Sequence, residues 1–582
     1  VNVNFGVAAL SEKGKALFSS LWSAAVELGS SAYGLEKAVS VKTDSRGLLN
    51  ARATEGTWSV PGWLEDERGV LSLSQPPVSV TQSVTLGNWE AWARETLRSD
   101  QGRATVQPGY FGLQLGTDGS FEAWNDTFGF GRSYVVRNEH FVAVGNHIGM
   151  VSLFSDRPLE VDMYGCDVLS QFGFWPEDVS PVRSVKRLGP ADVITVGPDD
   201  QVHVHRYASD EEFYGYREAE PDVDAVAASL AVLTGNAGEI AQQSPVVHLS
   251  GGQDSRVTAA AWVAGGKPAT IQTLGTLQGE VDIAEQLVAA LEPERSLEDR
   301  GITHNITVPN RASLSTFSIE DRLQQAMLMW DGDFAPGNLK AAIRRPPARN
   351  RLTIGGANGE VMHGIYYSTE SILKIARGLD HPVRRVGAAF PGRANTERSR
   401  PAAMEFLEHQ IDFTRRLGQH DATALNVFQM HSKFRRWINA QLSAGSFILL
   451  LNPVFVRAGM DLTPEQRLGK VMQKALSRAL VPQWEDVPYY KANFEESTTA
   501  SRTRGIRTWD TSPGSLERLL EERTAWQEWF PYDVIADILE KVRAGEANGA
   551  HESTLNKAYV LDAIPDHVGA LEQRRHSALS RV

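Results

Sequence analysis

Val246-Val247-His248-Leu249, followed directly by Ser250-Gly251-Gly252-Gln253-Asp254-Ser255, is the stretch whose reading decides the fold. Val246–Leu249 reads as a short buried strand, Gly251-Gly252 as a tight turn, and the apolar run Val257–Val263 as a helix. Strand, Gly-rich loop and helix in that order open an α/β domain. Such a loop exposes successive backbone N–H groups, and the helix aims its positive end at the same point. Together they make an anion site suited to pyrophosphate. Ser250 and Ser255 add hydroxyl donors. Asp254 cannot meet a phosphate directly, because like charges repel; it makes sense if a Mg²⁺ lies between them. The blander alternative is an ordinary Gly-rich turn, which a Gly-Gly pair alone would favour. The full Ser-Gly-Gly-x-Asp-Ser string after a strand favours the anion site. No GxxxxGK[ST] is present, so a kinase-type P-loop is not the model.

Working outward, Val223–Gln243 has helical periodicity and follows an acidic stretch, Glu218–Asp224. Further strands are predicted near Ala269–Leu274 and Arg351–Ile354, with the remainder mostly helical. Arg344–Arg351, Arg393–Arg400 and Glu495–Arg507 are polar and read as loops. The first 210 or so residues differ. Short β-rich segments such as His140–Gly145 and Asp192–Val196 alternate with turns such as Gly197–Asp200, and one helix is predicted near Glu12–Leu28. The expected division is an α+β domain over 1–210 and an α/β domain with many helices over 211–582.

The 582 residues carry a net charge of −13, which argues against a nucleic-acid-coating protein. Cys166 is the single cysteine, so no intrachain disulfide or Cys-based zinc cluster can form. No apolar run reaches the ~18 residues that span a membrane. Phe447–Leu451 is short, ends at Asn452-Pro453, and reads as core. No signal peptide is visible at the N-terminus. The expectation is a cytoplasmic protein with no nucleic-acid or membrane partner.

The Ser250–Ser255 string resembles the pyrophosphate loop of N-type ATP pyrophosphatases, and over nearly its whole length the chain resembles the asparagine synthetase superfamily. The resemblance implies ATP and Mg²⁺ as cofactors, release of pyrophosphate and formation of an acyl-adenylate. Ile271–Gly275, followed by Glu280–Ala284, is similar to the family's adenine-side strand. That places Gly275 in the ATP site and implies that Leu249 and Leu274 flank the adenine; plain core leucines are the equal alternative. Gly355-Gly356-Ala357-Asn358-Gly359-Glu360 lies where the family has a Gly-rich loop that contacts ATP. There Gly355 and Gly356 would touch the nucleotide and Glu360 would join Asp254 as a metal ligand, although the family's usual Asp is absent. Otherwise Glu360 caps the following helix. Val487–Phe494 is similar to the segment that presents a lysine to the reaction centre. It implies that Lys491 is catalytic, stabilising negative charge on the activated carboxylate and the α-phosphate; a surface lysine is the alternative. Asp331, Asp333 and His363 are further pocket candidates, with a turn as the plain reading of Asp331-Gly332-Asp333. Lys433–Trp437 is either a basic peptide or phosphate contact or an amphipathic helix face.

The first domain resembles the family's glutaminase, an αββα (Ntn-type) fold. Asn125–Gly129 is similar to its Arg-Asp-x-x-Gly turn and Ser184–Pro190 to its Val-x-x-Leu-x-Pro-Gly lead-in. The opening Asn2–Val7 aligns with the family's Cys-x-x-Phe-Gly start, which puts Asn2 where the nucleophilic cysteine belongs. Glutaminase activity is therefore not expected. Superfamily members without that cysteine include β-lactam synthetases and lasso-peptide cyclases, which close an amide within one substrate. Asn426–Leu442 has no acidic residue, which counts against the Tyr–Glu pair of the β-lactam enzymes. The expected activity is an AMP-forming amide ligase, foremost a lasso-type macrolactam synthetase. Its partners would be a peptide or amino-acid-derived substrate and a leader peptidase or leader-binding protein. The alternatives are a ligase that joins a small amino acid to a separate or internal amine, or a scaffold that has lost the chemistry.

Overall fold

The computed structural model describes residues 2–33, 37–52, 56–292, 296–308, 317–340, 351–364, 369–389, 396–438, 442, 445–490, 507–512 and 514–580. The strands of the N-terminal part are β1 (Asn2–Ala9), β2 (Lys37–Lys42), β3 (Arg46–Arg52), β4 (Trp63–Asp66), β5 (Gly69–Leu73), β6 (Phe111–Gly116), β7 (Phe121–Asn125), β8 (Tyr134–Arg137), β9 (Phe141–Gly145), β10 (Lys186–Arg187), β11 (Asp192–Val196) and β12 (Val202–Arg206). They form two six-stranded sheets, ordered β10-β8-β9-β1-β3-β2 and β12-β11-β7-β6-β5-β4. Neighbours in both sheets pair antiparallel.

Side-chain alternation along each strand sorts these sheets into layers. Ala8, Leu48, Val142 and Val144 of the first sheet meet Val70, Leu113, Phe121 and Ile194 of the second in one apolar core. Gly6 lies in that interface; a β-carbon there would come within 2.7 Å of Leu48 and 2.8 Å of Phe121, so glycine lets the sheets close. On the other face of β1, Val3, Phe5 and Val7 pack against Phe18, Leu21 and Trp22 of the Glu12–Tyr33 helix. On the outer face of the second sheet, Leu71 and Trp124 join Trp89, Ala93 and Leu97 of the Trp89–Leu97 helix. The result is a helix–sheet–sheet–helix stack.

Beyond it, β13 (Val246–His248), β14 (Ala269–Leu274), β15 (Ile302–Thr307) and β16 (Thr353–Ile354) form a four-stranded parallel sheet ordered β15-β14-β13-β16. The Gln253–Ala264 and Gln278–Ala289 helices connect β13 to β14 and β14 to β15. A parallel sheet of this kind gathers its loops at the carboxyl ends of the strands, where ligands bind in such folds. The predicted 223–243 helix ends at Ile240, and the predicted 12–28 helix continues to Tyr33.

The C-terminal helices return to the first sheet. Gly549–Leu579 and Ile319–Trp330 share an apolar core with the Glu12–Tyr33 helix, and Ser20 Oγ donates to the Ala578 carbonyl at 3.0 Å. Asp331-Gly332-Asp333 is the turn that ends the Ile319–Trp330 helix, with Asp331 left-handed at φ 50°. The Asp331 carboxylate accepts from Arg132 at 2.9 Å and from the N–H groups of Ile148 and Gly149 at 3.2 and 3.3 Å. Asp333, fully buried, accepts from the Tyr134 hydroxyl at 2.5 Å and from Arg436 at 2.6 Å. Both aspartates, candidates for a Mg²⁺ or amine pocket, therefore tie the N-terminal sheets to the C-terminal helices. Arg435 and Arg436 are likewise buried, not on an exposed helix face. Arg435 pairs with Asp178 at 3.0 Å, and Arg436 also donates to the carbonyl of Val179 at 2.9 Å.

Removing one partner of a buried ion pair leaves the other charge unpaired and costs about 3–5 kcal/mol. Asp333→Ala, which strands Arg436, is expected to lower unfolding stability by about 3 kcal/mol or more. Chemical denaturation checks this. A loss under about 1 kcal/mol would show that the turn does not hold the two parts together.

Candidate functional site

The Ser250–Ser255 loop sits at the carboxyl end of β13 and opens the Gln253–Ala264 helix. Leu249 is buried, and its N–H donates to the Gln272 carbonyl of β14 at 2.9 Å. Two serine hydroxyls close the loop. Ser250 and Ser255 Oγ lie 2.9 Å apart, and Ser255 Oγ accepts from the Ser250 N–H at 3.2 Å. Ser250 Oγ accepts from the Gly252 N–H, also at 3.2 Å. The helix has Gly252 at its N-cap, so no capping side chain covers the first-turn N–H groups. These groups have no intrahelical acceptor and face the loop's mouth with the positive end of the helix dipole.

Asp254 stands at the edge of this mouth, and a second loop folds onto it. Gly355 and Gly356 follow β16, and the chain turns through Asn358, left-handed at φ 71°, into a short 3₁₀ segment, Gly359–Met362. A β-carbon at Gly356 would lie 2.7 Å from the Ser255 nitrogen, and one at Gly359 would collide with the Asp254 carboxylate. Glycine at both positions is what allows this approach. Gly355 is less confined: its β-carbon position comes no closer than 3.9 Å to His248. Asn426 fastens the same turn, with its side-chain amide donating to the carbonyls of Glu360 at 3.3 Å and His363 at 3.0 Å. Asn358 Nδ2 reaches the Leu450 carbonyl at 2.6 Å.

The turn brings Glu360 and His363 to Asp254. His363 Nε2 lies 3.3 Å from Asp254 Oδ2, and Gln473 Nε2 donates to Oδ1 at 3.3 Å. Burial, and then the charge of Asp254, push the Glu360 carboxyl above its ordinary value, while His363 and Lys433 oppose the shift. Burial disfavours charge on His363, but the hydrogen bond to Asp254, the charge of Asp254, the Gly364 carbonyl and the charge of Glu360 together outweigh it and its pKa is raised. Glu360 Oε2 is buried with no hydrogen-bond partner among the described residues. Two neighbouring carboxylates, one with an unsatisfied oxygen, fit a Mg²⁺ that takes its remaining ligands from phosphate and water. Among the described residues no cluster of three or more His, Cys, Asp or Glu could hold a metal unaided.

Lys433 stands on a π-helical turn, Gln429–Phe434, that continues the Asp421–Phe428 helix. Burial lowers its pKa and Glu360 opposes that. At the carboxyl end of β14, Leu274 is 45% exposed, so it is an uncovered apolar side chain beside the site, whereas Leu249 is core. The Gly275 N–H donates to the Thr307 carbonyl of β15 at 3.0 Å. Val487–Tyr490 crosses to the anion loop, where the Tyr490 N–H donates to the Gly251 carbonyl at 3.0 Å. Lys491 lies outside the described residues.

Sequence reasoning missed Gln473, Asn426 as a brace for the turn, and Arg256. Gln473 and Asn426 sit in ordinary helical patterns that carry no signal. Arg256 did carry one, as the only charge between Ser255 and Gly266.

No family model matches this chain, and no curated protein matches it. Among solved structures it is similar to glutamine phosphoribosylpyrophosphate amidotransferase from B. subtilis complexed with ADP and GMP. The identity is 11% and the TM-score 0.24, over 66% of this chain and 88% of that one. A likeness of that degree supports no functional statement, so the site is read from its own geometry.

The raised pKa of His363 gives a test with a defined sign. A histidine whose folded pKa lies above its unfolded value of about 6.5 adds stability below that value, and this is lost as pH rises through the folded pKa. Asp254→Asn should lower the pKa of His363, measured by NMR titration of its ring proton, and remove that stability increment at acid pH. An unchanged titration would mean that Asp254 and His363 do not interact.

Proposed function

We propose that this chain is an ATP-dependent, AMP-forming amide ligase of the asparagine synthetase type. The observation that carries the reading is the pairing of an N–H-lined anion loop with Asp254 and the Glu360 turn at the carboxyl ends of parallel strands. An anion loop alone suits any phosphate. An anion loop with two carboxylates held beside it suits a phosphate that arrives with a divalent cation. In this reading the Ser250–Ser255 loop binds the β- and γ-phosphates, and Leu274 and Gly275 border the base. A substrate carboxylate oxygen attacks the α-phosphorus and the α–β phosphoanhydride bond breaks, releasing pyrophosphate. An amine then attacks the acyl carbon, loses a proton and expels AMP. Asp254 and Glu360 would hold Mg²⁺, which when bound offsets the charge of the phosphates.

The division into a glutaminase-like part over 1–210 and a synthetase part over 211–582 belongs to the same proposal. The helix–sheet–sheet–helix stack is the layering such an Ntn-type domain has. Asn2 heads β1, where the resemblance places the nucleophilic cysteine, and Cys166 is buried in the Met163–Phe172 helix. The nitrogen is then supplied by the substrate, and ring closure within a lasso-type precursor peptide is the specific activity we propose.

With Mg²⁺ and a competent precursor peptide, ³¹P NMR should show AMP and pyrophosphate as primary products, and Asp254→Ala should abolish them in a protein that melts normally. ADP and orthophosphate as primary products would overturn the reading. Lys491 is proposed to stabilise the oxyanion formed as the amine attacks. Lys491→Met should lower kcat by roughly 10²–10³ with little change in ATP affinity. Near wild-type turnover by this variant would remove Lys491 from the mechanism.

A further inference from the structure

Arg256 follows the anion loop by one residue and is fully buried. A buried guanidinium is costly unless its donors are met. Here its two Nη groups meet one short stretch of main chain, while Nε has no hydrogen-bond partner among the described residues. Nη1 donates to the Val487 carbonyl at 2.8 Å and Nη2 to the Pro488 carbonyl at 2.5 Å, and the guanidinium carbon stands 3.8 Å from the centre of the Tyr489 ring. Two residues further on, the Tyr490 N–H donates to the Gly251 carbonyl at 3.0 Å. The Tyr490 side chain seats in a slot left by two glycines. A β-carbon at Gly251 would collide with Tyr490 Cβ, and one at Gly279 would lie 2.5 Å from its ring. Val487–Tyr490 therefore forms a strap that grips the anion loop at two points, at Gly251 within it and at Arg256 directly after it. It also touches the first turn of the Gln278–Ala289 helix.

We infer that Arg256 is a positioning residue that fastens this strap to the anion loop, so that the strap's placement and the loop's work on its ligand are coupled. The inference rests on the reading of the loop as the pyrophosphate site of an adenylating ligase. A guanidinium suits the task. Its planar fork meets two successive carbonyls while its face stacks on the Tyr489 ring, which an ammonium cannot do. Ser255, the neighbour of Arg256, closes the loop by its hydroxyl bond to Ser250, so a shift of the loop passes to the strap through one peptide unit.

The test compares the full chain with Arg256→Gln, Arg256→Lys and Tyr489→Leu by hydrogen exchange and by pyrophosphate release from Mg·ATP. In Arg256→Gln, amide exchange over 487–490 should accelerate about tenfold or more while β13 and β14 stay protected. Its kcat should fall roughly 10- to 100-fold with KM for ATP within about threefold. Arg256→Lys should recover part of both, and Tyr489→Leu should fall between; these two keep the test open if Arg256→Gln does not fold. Unchanged strap protection in Arg256→Gln overturns the inference, as does a loosened strap with unchanged kcat. Loss of protection throughout the molecule also overturns it, because Arg256 would then be a plain structural residue. If the wild-type chain with a competent substrate releases no pyrophosphate, the adenylation reading fails and the coupling fails with it. The exchange data, which need no turnover, then report separately on the clasp.

Discussion

The site depends on the closeness with which one backbone approaches one carboxylate. Gly356 and Gly359 carry no β-carbon, so the turn after β16 lies directly on Asp254 and the start of the Gln253–Ala264 helix. Everything chemically distinctive follows from that contact. It brings Glu360 and His363 to Asp254, and Glu360 is buried enough there to raise its pKa. An alanine at Gly359 would have to displace the Asp254 carboxylate.

Around that contact the molecule is braced from distant parts of the chain. Asn426 holds the Glu360–His363 turn, Gln473 holds Asp254, and Arg256 holds the strap that meets Gly251. The N-terminal sheets are joined to the C-terminal helices by the buried Asp333–Arg436–Tyr134 set and by Asp331 with Arg132. Fixed donors around a reacting group stabilise charge without reorganising when it appears, and buried braces of this type supply that fixity.

The features legible in the sequence were those with a short local cause. Val246–Ser255 showed its strand, loop and helix because a buried strand, a Gly-Gly turn and an apolar run each follow from adjacent residues. Gly355-Gly356 and Glu360 were picked out by the resemblance, as the counterpart of a Gly-rich loop that follows a predicted strand. Asp331-Gly332-Asp333 was legible as a turn but not as a tie, because its partners Arg132, Tyr134 and Arg436 are about 100 to 200 positions away and only the fold brings them together. Arg435 and Arg436 looked like one face of a basic helix, and their burial depends on carbonyls and carboxylates elsewhere in the chain. From its residues alone the region of β1 through β12 reads only as β-rich, since short alternating strands do not state which sheet they join; the αββα layering was implied by the resemblance.

The Ser250–Ser255 loop and the Asp254–Glu360 pair are proposed to form one binding unit for a nucleotide's phosphates and their metal ion. The most direct measurement is a crystal structure of the full chain with Mg²⁺ and α,β-methylene-ATP, which cannot be cleaved at the α–β bond. The expected result is β- and γ-phosphates on the N–H groups of Gly251–Ser255, and a metal ion joining them to Asp254 and Glu360. Phosphates bound away from this loop, or a loop site filled with Asp254 and Glu360 both turned from the ion, would contradict it.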